Sequence, residues 1–151
     1  MVRGRFYSGQ DDLTEVKKIR QQVFQQELGF SVEIDEDGQD DFCMHVLAFD
    51  GEVPVATGRI SFEGWEFVIS KVAVLKEQRG KAYGDFIVRM MGDKAMISYA
   101  TQVKLEAFES TVPFFEKIGF KVTGVAGELA GYKLVQMILN TDEIHKCCNC
   151  K

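Results

Sequence analysis

Residues 72–91 read VAVLKEQRGKAYGDFIVRMM, and this stretch decides the fold. An apolar run typical of a strand leads into a basic turn with two glycines, and residues with the apolar spacing of a helix follow. The first turn of a helix has backbone N–H groups without helical partners and carries partial positive charge. An arginine and a lysine add full charges there, and small residues leave room for a ligand. The stretch therefore predicts an anion site at the start of a helix, with a basic helix cap that binds nothing as the alternative.

The segments around this stretch predict an α/β fold, a mixed sheet with helices on its faces. We expect the helix to begin near Arg79 or Gly80 and to extend toward Tyr99. Upstream, the acidic and apolar spacing of residues 11–28 predicts an amphipathic helix. The other predicted elements are strands at 3–8, 42–50, 53–62, 65–75 and 103–108, a short helix at 111–118, and a final pair of strands within 120–139.

Composition bounds the class of protein. The 151 residues, 46% of them hydrophobic, are enough for one domain with a core, which we place at residues 3–140 before a short cysteine-rich tail at 141–151. The net charge of -5 argues against binding to nucleic acid or to an anionic membrane surface. The sequence shows neither the apolar core of a signal peptide nor an apolar run near the roughly 20 residues of a membrane helix. We therefore expect a cytoplasmic protein.

Two segments carry clustered polar groups. Residues 29–41, GFSVEIDEDGQDD, hold six carboxylates and no base, which predicts a solvated loop. Calcium is not predicted there, because the position that needs a bidentate glutamate is Met44. The tail holds His145, Cys147, Cys148 and Cys150, but this spacing is too tight for one local zinc site, so no metal is predicted. A redox-sensitive tail is the alternative.

Several runs match a known family. VAVLKEQRGKAYG resembles the acetyl-CoA-binding motif R/Q-x-x-G-x-G/A of the GNAT N-acetyltransferases, with Arg79 first, Ala82 in place of the middle glycine, and Gly84 last. LEAFESTVPFFEKIGF is similar to that family's strand and helix ending in F-Y-E-K-x-G-F. A pattern of a common bacterial branch of this family is similar to two further runs, IRQQVFQQELGFSVEIDEDGQDD and HVLAFDGEVPVATGRI. The resemblance spans residues 3–139 and implies the GNAT acyl-CoA N-acyltransferase fold, a central splayed mixed sheet flanked by helices.

The resemblance also implies where acetyl-CoA binds. The cofactor would enter between the strand of residues 71–75 and the strand of residues 103–108, and its pantetheine would pair with the backbone of the first strand. An amine would attack the thioester directly in a ternary complex, with a backbone N–H near Val74 stabilising the oxyanion. The residues that the resemblance assigns to acetyl-CoA are Val72, Ala73, Val74, Arg79, Gly80, Lys81, Ala82, Tyr83, Gly84 and Phe115.

The resemblance leaves alternatives for the groups that carry the chemistry. Glu66 and Glu106, on the two strands beside the thioester, are candidates for the base that takes a proton from the amine. The tyrosine that usually protonates the leaving thiolate would fall at Phe115, which has no proton to give, and Tyr132 is the candidate substitute. The alternative is a protein that binds or senses acyl-CoA with little turnover. A metal or redox protein that acts through the tail is a third hypothesis.

The acidic segment suggests the kind of acceptor. In the family's architecture it borders the acceptor pocket, so it predicts a cationic primary amine, either a small molecule or a lysine side chain. Glu33 and Asp35 are its candidate contacts, and His45 matches a histidine of the bacterial branch near the acceptor. The alternatives are a solvated acidic surface and a hydrogen-bonded core histidine. A homodimer is allowed, and the sequence does not decide the oligomeric state.

Overall fold

The computed structural model describes residues 1–64 and 66–141. Its strands form one mixed sheet of seven, in the order β1-β2-β3-β4-β5-β7-β6. The strands are β1 Val2–Ser8, β2 Met44–Asp50, β3 Val53–Glu63, β4 Glu66–Val74, β5 Gln102–Phe108, β6 Lys121–Leu129 and β7 Tyr132–Asn140. The helices are α1 Thr14–Arg20, α2 Val32–Asp35, α3 Tyr83–Ile97 and α4 Val112–Ile118. The predicted α/β architecture is confirmed.

The chain divides into two compact units. The first comprises residues 1–61 and 70–91, and the second comprises residues 62–69 together with the chain from Gly92 onward. β4 contributes residues to both units. The prediction of a single domain at residues 3–140 stays a prediction, and the cysteine-rich tail beyond Thr141 lies outside the described residues.

In the first unit, β1, β2 and β3 pair antiparallel. Gly51 has a φ of 62°, as the predicted hairpin turn between β2 and β3 requires. Two glycines let α3 approach these strands closely. A Cβ on Gly4 would lie 2.1 Å from the sulfur of Met90, and a Cβ on Gly58 would lie 2.5 Å from the terminal methyl of Met91. This packing holds the middle of α3 against the sheet.

The first helical segment differs from a regular α-helix. After α1, residues Gln21–Glu27 form a π-helical segment, in which Leu28 donates its N–H to the carbonyl of Val23 at 3.0 Å. The periodic apolar spacing predicted the helix but not this wider turn, which is rare and often found at functional sites.

Two predictions for the first unit are wrong. Residues 29–41 are not simply a solvated loop: they contain α2 and a 3-10 turn at Asp40–Phe42, and both Asp35 and Asp40 are buried. α3 begins at Tyr83 rather than near Arg79 or Gly80. The reason is local, because Gly80 and Ala82 have left-handed φ values of 81° and 65°, which a continuous helix excludes.

In the second unit, residues 67–69 of β4 pair parallel with residues 103–105 of β5, and β7 lies antiparallel to both β5 and β6. The predicted short helix is α4, and Gly119 follows it with a φ of 124°. No helix among the described residues combines the length and apolar character needed to cross a membrane.

Candidate active site

The turn between β4 and α3 has the geometry of an anion site. Gly80 has open space around its Cα, so a ligand can approach the backbone there. α3 is 15 residues long, and its first N–H groups have no helical partners. Lys81 lies exposed beside them and donates to the Gln78 side chain at 3.2 Å. These residues fit the pyrophosphate of a nucleotide cofactor.

Arg79 is already engaged in this turn. Its Nη1 and Nη2 donate to the two carboxylate oxygens of Glu27 at 2.6 and 2.7 Å, and its Nη2 also donates to the carbonyl of Val74 at 3.0 Å. The hydrogen bond from Arg79 lowers the pKa of Glu27, and the bond to Glu27 raises the pKa of Arg79. Arg79 therefore links the end of the π-helical segment to the end of β4.

Tyr83 anchors the turn through a buried side chain. Its side chain is buried, and its hydroxyl donates to Asp50 at 2.7 Å. Asp50 closes the β2–β3 hairpin, so this bond ties the first residue of α3 to the sheet. Because its phenol is engaged with Asp50, Tyr83 can contact a ligand at the turn only through its backbone N–H.

A cluster of charges lies buried in the same unit. Arg20, which is 1% exposed, donates from Nε to Asp35 at 3.0 Å and from Nη1 to Asp40 at 2.8 Å. Its Nη2 donates to the backbone carbonyl of Asp35. Gln25 donates to the second carboxylate oxygen of Asp35 at 2.8 Å. Buried charges need such partners, because burial removes their hydration.

Arg59 extends this cluster to β4. Its Nη1 and Nη2 donate to the two oxygens of Asp37 at 2.8 and 2.7 Å, and its Nη1 shares Asp40 with Arg20 at 3.0 Å. Its Nε donates to the hydroxyl of Ser70 at 2.9 Å. The guanidinium of Arg59 therefore joins residues 37–40 to β4, the strand predicted to pair with the cofactor.

The ion pairs shift the acid–base behaviour of the cluster. Hydrogen bonds from Arg59 hold the pKa of Asp37 well below its ordinary value of 3.8. Burial alone would raise the pKa of Asp40, but the bonds and charges of Arg20 and Arg59 outweigh it and lower that pKa. Burial would likewise lower the pKa of Arg59, whereas its bonds to Asp37 and Asp40 raise it. All three groups therefore stay charged near neutral pH.

Lys71 completes the cluster. Its Nζ donates to the backbone carbonyl of Ile34 at 2.7 Å and lies 5.9 Å from the ring centroid of Phe24. Burial lowers the pKa of Lys71, although Asp37 attracts its charge. Three cations, Arg20, Arg59 and Lys71, thus accompany three anions, Asp35, Asp37 and Asp40. In residues 29–41 the exposed carboxylates are Glu33, Glu36 and Asp41, together with the partly exposed Asp37.

His45 and Asp35, two of the predicted acceptor contacts, lie below the surface. The imidazole of His45 is 1% exposed, and its Nε2 lies 3.0 Å from the carbonyl of Asp40. Its Nδ1 has no hydrogen-bond partner among the described residues. Burial lowers the pKa of His45 below 6.5, so the ring is neutral. That substrate touches these two residues stays a prediction, and their burial favours a supporting role.

The candidate bases lie in the second unit. The carboxylate of Glu66 is 3.3 Å from Nζ of Lys104, and its side chain is about half exposed. Glu106 is exposed on β5, opposite Gln136 of β7. Both are accessible to solvent, and their assignment as bases stays a prediction.

Phe115 and Tyr132 also belong to the second unit. Phe115 is buried between Phe114 and Phe120, with ring centroids 4.9 and 5.7 Å away. Tyr132 is 41% exposed, and its ring centroid lies 5.4 Å from that of Phe108. The phenol of Tyr132 can reach solvent, whereas Phe115 fills an aromatic cluster.

The sequence reasoning missed the partners of this site. Arg20 and Arg59 stood in the matched family runs, but no acid was assigned to either of them. A charged residue inside an otherwise apolar helix face or strand was the available signal, because such a residue needs a buried counter-ion. Lys71, inside the apolar run of β4, carried the same signal, whereas Glu27 carried none.

Comparison with known proteins agrees with this geometry. The acetyltransferase (GNAT) domain family matches residues 12–141. A curated relative, the uncharacterized N-acetyltransferase YjcF of Bacillus subtilis, is 27% identical over 113 residues, which cover 75% of this chain and 81% of YjcF.

Two solved structures share the fold. The structure of Escherichia coli ElaA has a TM-score of 0.81 at 22% identity, covering 93% of this chain and 100% of that one. The PaiA N-acetyltransferase of Thermoplasma acidophilum, solved in complex with coenzyme A, has a TM-score of 0.70 at 12% identity, covering 93% and 99%. Since the family match spans most of the chain, this protein belongs to the GNAT acetyltransferases, which take the acetyl group from acetyl-CoA.

Proposed function

We propose that this protein transfers the acetyl group of acetyl-CoA to the primary amine of a small cationic molecule, by direct attack in a ternary complex. The turn at residues 79–84 supports the cofactor end of this proposal best. It combines an open glycine, a second left-handed residue at Ala82 and the start of a 15-residue helix. The coenzyme A complex of PaiA adds support from a protein of the same fold.

In the proposed complex the cofactor is held by this chain's backbone. Residues 72–74 of β4 would pair with pantetheine, the N–H groups of residues 80–84 would bind the pyrophosphate, and Lys81 would add charge. The phenyl ring of Phe115 would offer an apolar contact. Four of the five N–H groups of Arg79 bind Glu27 and Val74, so one donor is left for a phosphate in the proposed complex.

The reaction joins the amine nitrogen to the thioester carbon and breaks the carbon–sulfur bond. The nitrogen gives up one proton, which Glu66 or Glu106 would accept, directly or through water. The sulfur leaves as the thiolate of coenzyme A, which a thiol pKa near ~8.5 makes tolerable at neutral pH. Tyr132 is the proposed acid that protonates it, since Phe115 cannot.

The acceptor preference rests on charge. Arg20, Arg59 and Lys71 balance three of the aspartates. The remaining exposed carboxylates of residues 29–41 carry the proposed attraction for a cation: Glu33, Glu36 and Asp41. A solvated acidic surface would give no such preference.

Thiol release from acetyl-CoA tests the proposal. We expect release with primary amines, faster for cationic amines than for neutral amines of similar length, and reduced by salt. Glu33→Gln should narrow that difference, whereas Glu63→Gln, an exposed acid in β3, should not. Equal turnover of cationic and neutral amines would contradict the acceptor class alone.

A second function is favoured by one observation, the burial of Phe115 where the family has its acid. It is the binding or sensing of acyl-CoA with little turnover. Tight coenzyme A binding by calorimetry without thiol release toward any amine would select this function over acetyl transfer. A cytoplasmic location and a homodimer stay predictions.

A further inference from the structure

Lys71 has an unusual backbone for a residue with a side chain. Its φ is 52°, in the middle of β4. L-residues rarely adopt left-handed backbone, because Cβ then crowds the following carbonyl oxygen. Glycine adopts it without this crowding, yet a lysine occupies the position. Contacts outside the strand must therefore hold this backbone in place.

Two such contacts lie at Lys71 and its neighbour. The ammonium of Lys71 donates to the carbonyl of Ile34 in α2 at 2.7 Å. The hydroxyl of Ser70 accepts from Nε of Arg59 at 2.9 Å. α2 itself is fixed, because Arg20 binds both the carboxylate and the carbonyl of Asp35. The buried charges thus hold β4 at two consecutive residues.

These two contacts lie immediately before the cofactor strand of the prediction. Val72, Ala73 and Val74 come directly after the left-handed residue. The φ of Lys71 sets the direction in which β4 continues, and therefore where the N–H and carbonyl groups of these three residues point. If Lys71 relaxed to an ordinary strand φ, those groups would turn away from their present directions.

We infer that Lys71 is a positioning residue for acetyl transfer: its ammonium, held by the Ile34 carbonyl, keeps the left-handed backbone that aims residues 72–74 at the thioester. This inference rests on the proposed function, in which those residues bind the pantetheine and the oxyanion. Lys71 acts here through the backbone and does not touch the reacting atoms.

Three variants separate this role from others. Lys71→Met keeps most of the stem but removes the donor, so the strained backbone loses its tether. Lys71→Arg keeps a donor that can reach the same carbonyl. Lys71→Gly removes the tether but accepts a φ of 52° without crowding. For each variant we would measure kcat and KM for acetyl-CoA from thiol release, coenzyme A binding by calorimetry, and the midpoint of thermal unfolding.

We expect kcat to fall about 10- to 100-fold in Lys71→Met, because a misplaced group near the reacting atoms has a cost of this order. Coenzyme A binding should weaken less, since the pyrophosphate turn is untouched. Lys71→Arg should keep most of the parent kcat. The kcat of Lys71→Gly should lie between those of Lys71→Arg and Lys71→Met. If Lys71→Met does not fold, the order of Arg and Gly against the parent protein carries the test.

Two results would overturn the inference. A Lys71→Met enzyme with unchanged kcat would show that Lys71 only stabilises the fold. A Lys71→Gly enzyme as slow as Lys71→Met would show that the rate depends on the Lys71 side chain itself and not on the left-handed backbone. Failure of the proposed function looks different, because the parent protein would then release no thiol with any amine.

Discussion

Arg20 places a full positive charge among buried residues. Its five N–H groups match this position, because three of its nitrogens donate to two aspartates and one backbone carbonyl. Lysine could not replace this pattern, since its donors radiate from a single nitrogen. The same side chain thus pairs with both Asp35 and Asp40 and fixes the backbone of α2.

Replacing Arg20 tests how strongly the fold depends on this group. We expect Arg20→Met to lower the free energy of unfolding by about 3–5 kcal/mol, because two buried aspartates would lose a partner. Urea unfolding would measure the change. Lys18→Met is a matched control on the same helix, where the exposed Lys18–Glu15 pair at 3.4 Å should contribute under about 1 kcal/mol. Equal losses in the two variants would show that the buried cluster contributes no more than a surface pair.

At the scale of elements, the turn between β4 and α3 contains a departure from the family motif. Ala82 takes the place of the middle glycine and has a φ of 65°. An L-residue loses about 1–2 kcal/mol in this conformation, and its methyl group stands beside the N–H groups proposed to bind phosphate. The chain therefore carries both strain and bulk at this position.

Glycine at this position should improve the turn. We expect Ala82→Gly to raise stability by up to about 1 kcal/mol, because the relief of strain exceeds the added entropy of the unfolded chain. We also expect coenzyme A to bind about two- to tenfold more tightly, measured by calorimetry.

Ala130→Gly is the matched control for this change. Ala130 has a φ of 50° in the turn between β6 and β7. The Ala130→Gly substitution should raise stability by about as much as Ala82→Gly and leave coenzyme A binding unchanged. Equal effects of the two variants on binding would contradict a specific role of residue 82 in the phosphate site.

Periodicity predicted the elements well, because the burial of one face leaves a pattern in the sequence. Apart from α2, the order of strands and helices could be predicted, as could the Asp50-Gly51 turn and Gly119 after α4. The π-helical segment was not, since no local pattern distinguishes it from an α-helix. The start of α3 was misplaced because Ala82, a good helix former, adopts a left-handed backbone here.

The site divides in the same way. The turn between β4 and α3 could be predicted as a candidate anion site, because glycines and basic residues mark it locally. The buried cluster could not, since Arg20 and Arg59 meet their aspartates only through the tertiary fold. The acidic composition of residues 29–41 predicted exposure to solvent. In the fold, however, Asp35 and Asp40 lie beside two arginines and are buried.

For the molecule as a whole, the buried ionisable groups couple stability to pH in one direction. The pKa values of Asp37 and Asp40 are lowered from 3.8, so their contribution is present above that pH and is lost as the pH falls through the lowered values. The pKa of His45 is lowered from 6.5, so protons bind to this histidine more readily in the unfolded chain. Acid therefore destabilises the fold in two stages, first below about pH 6.5 and then below about pH 4.

Removing His45 should abolish the first stage. As the pH falls below 6.5, the unfolded chain takes up a proton that the buried imidazole refuses, and the free energy of unfolding drops by at most about 1.4 kcal/mol per pH unit. His45→Gln keeps a side-chain donor for the carbonyl of Asp40 but does not titrate, so its stability should stay nearly flat between pH 6.5 and 5. His145→Gln, which changes the second histidine of the sequence, should retain the slope of the parent protein. Urea unfolding at half-unit steps from pH 7.5 to 4 would measure all three proteins, and an unchanged slope in His45→Gln would assign the first stage to another group.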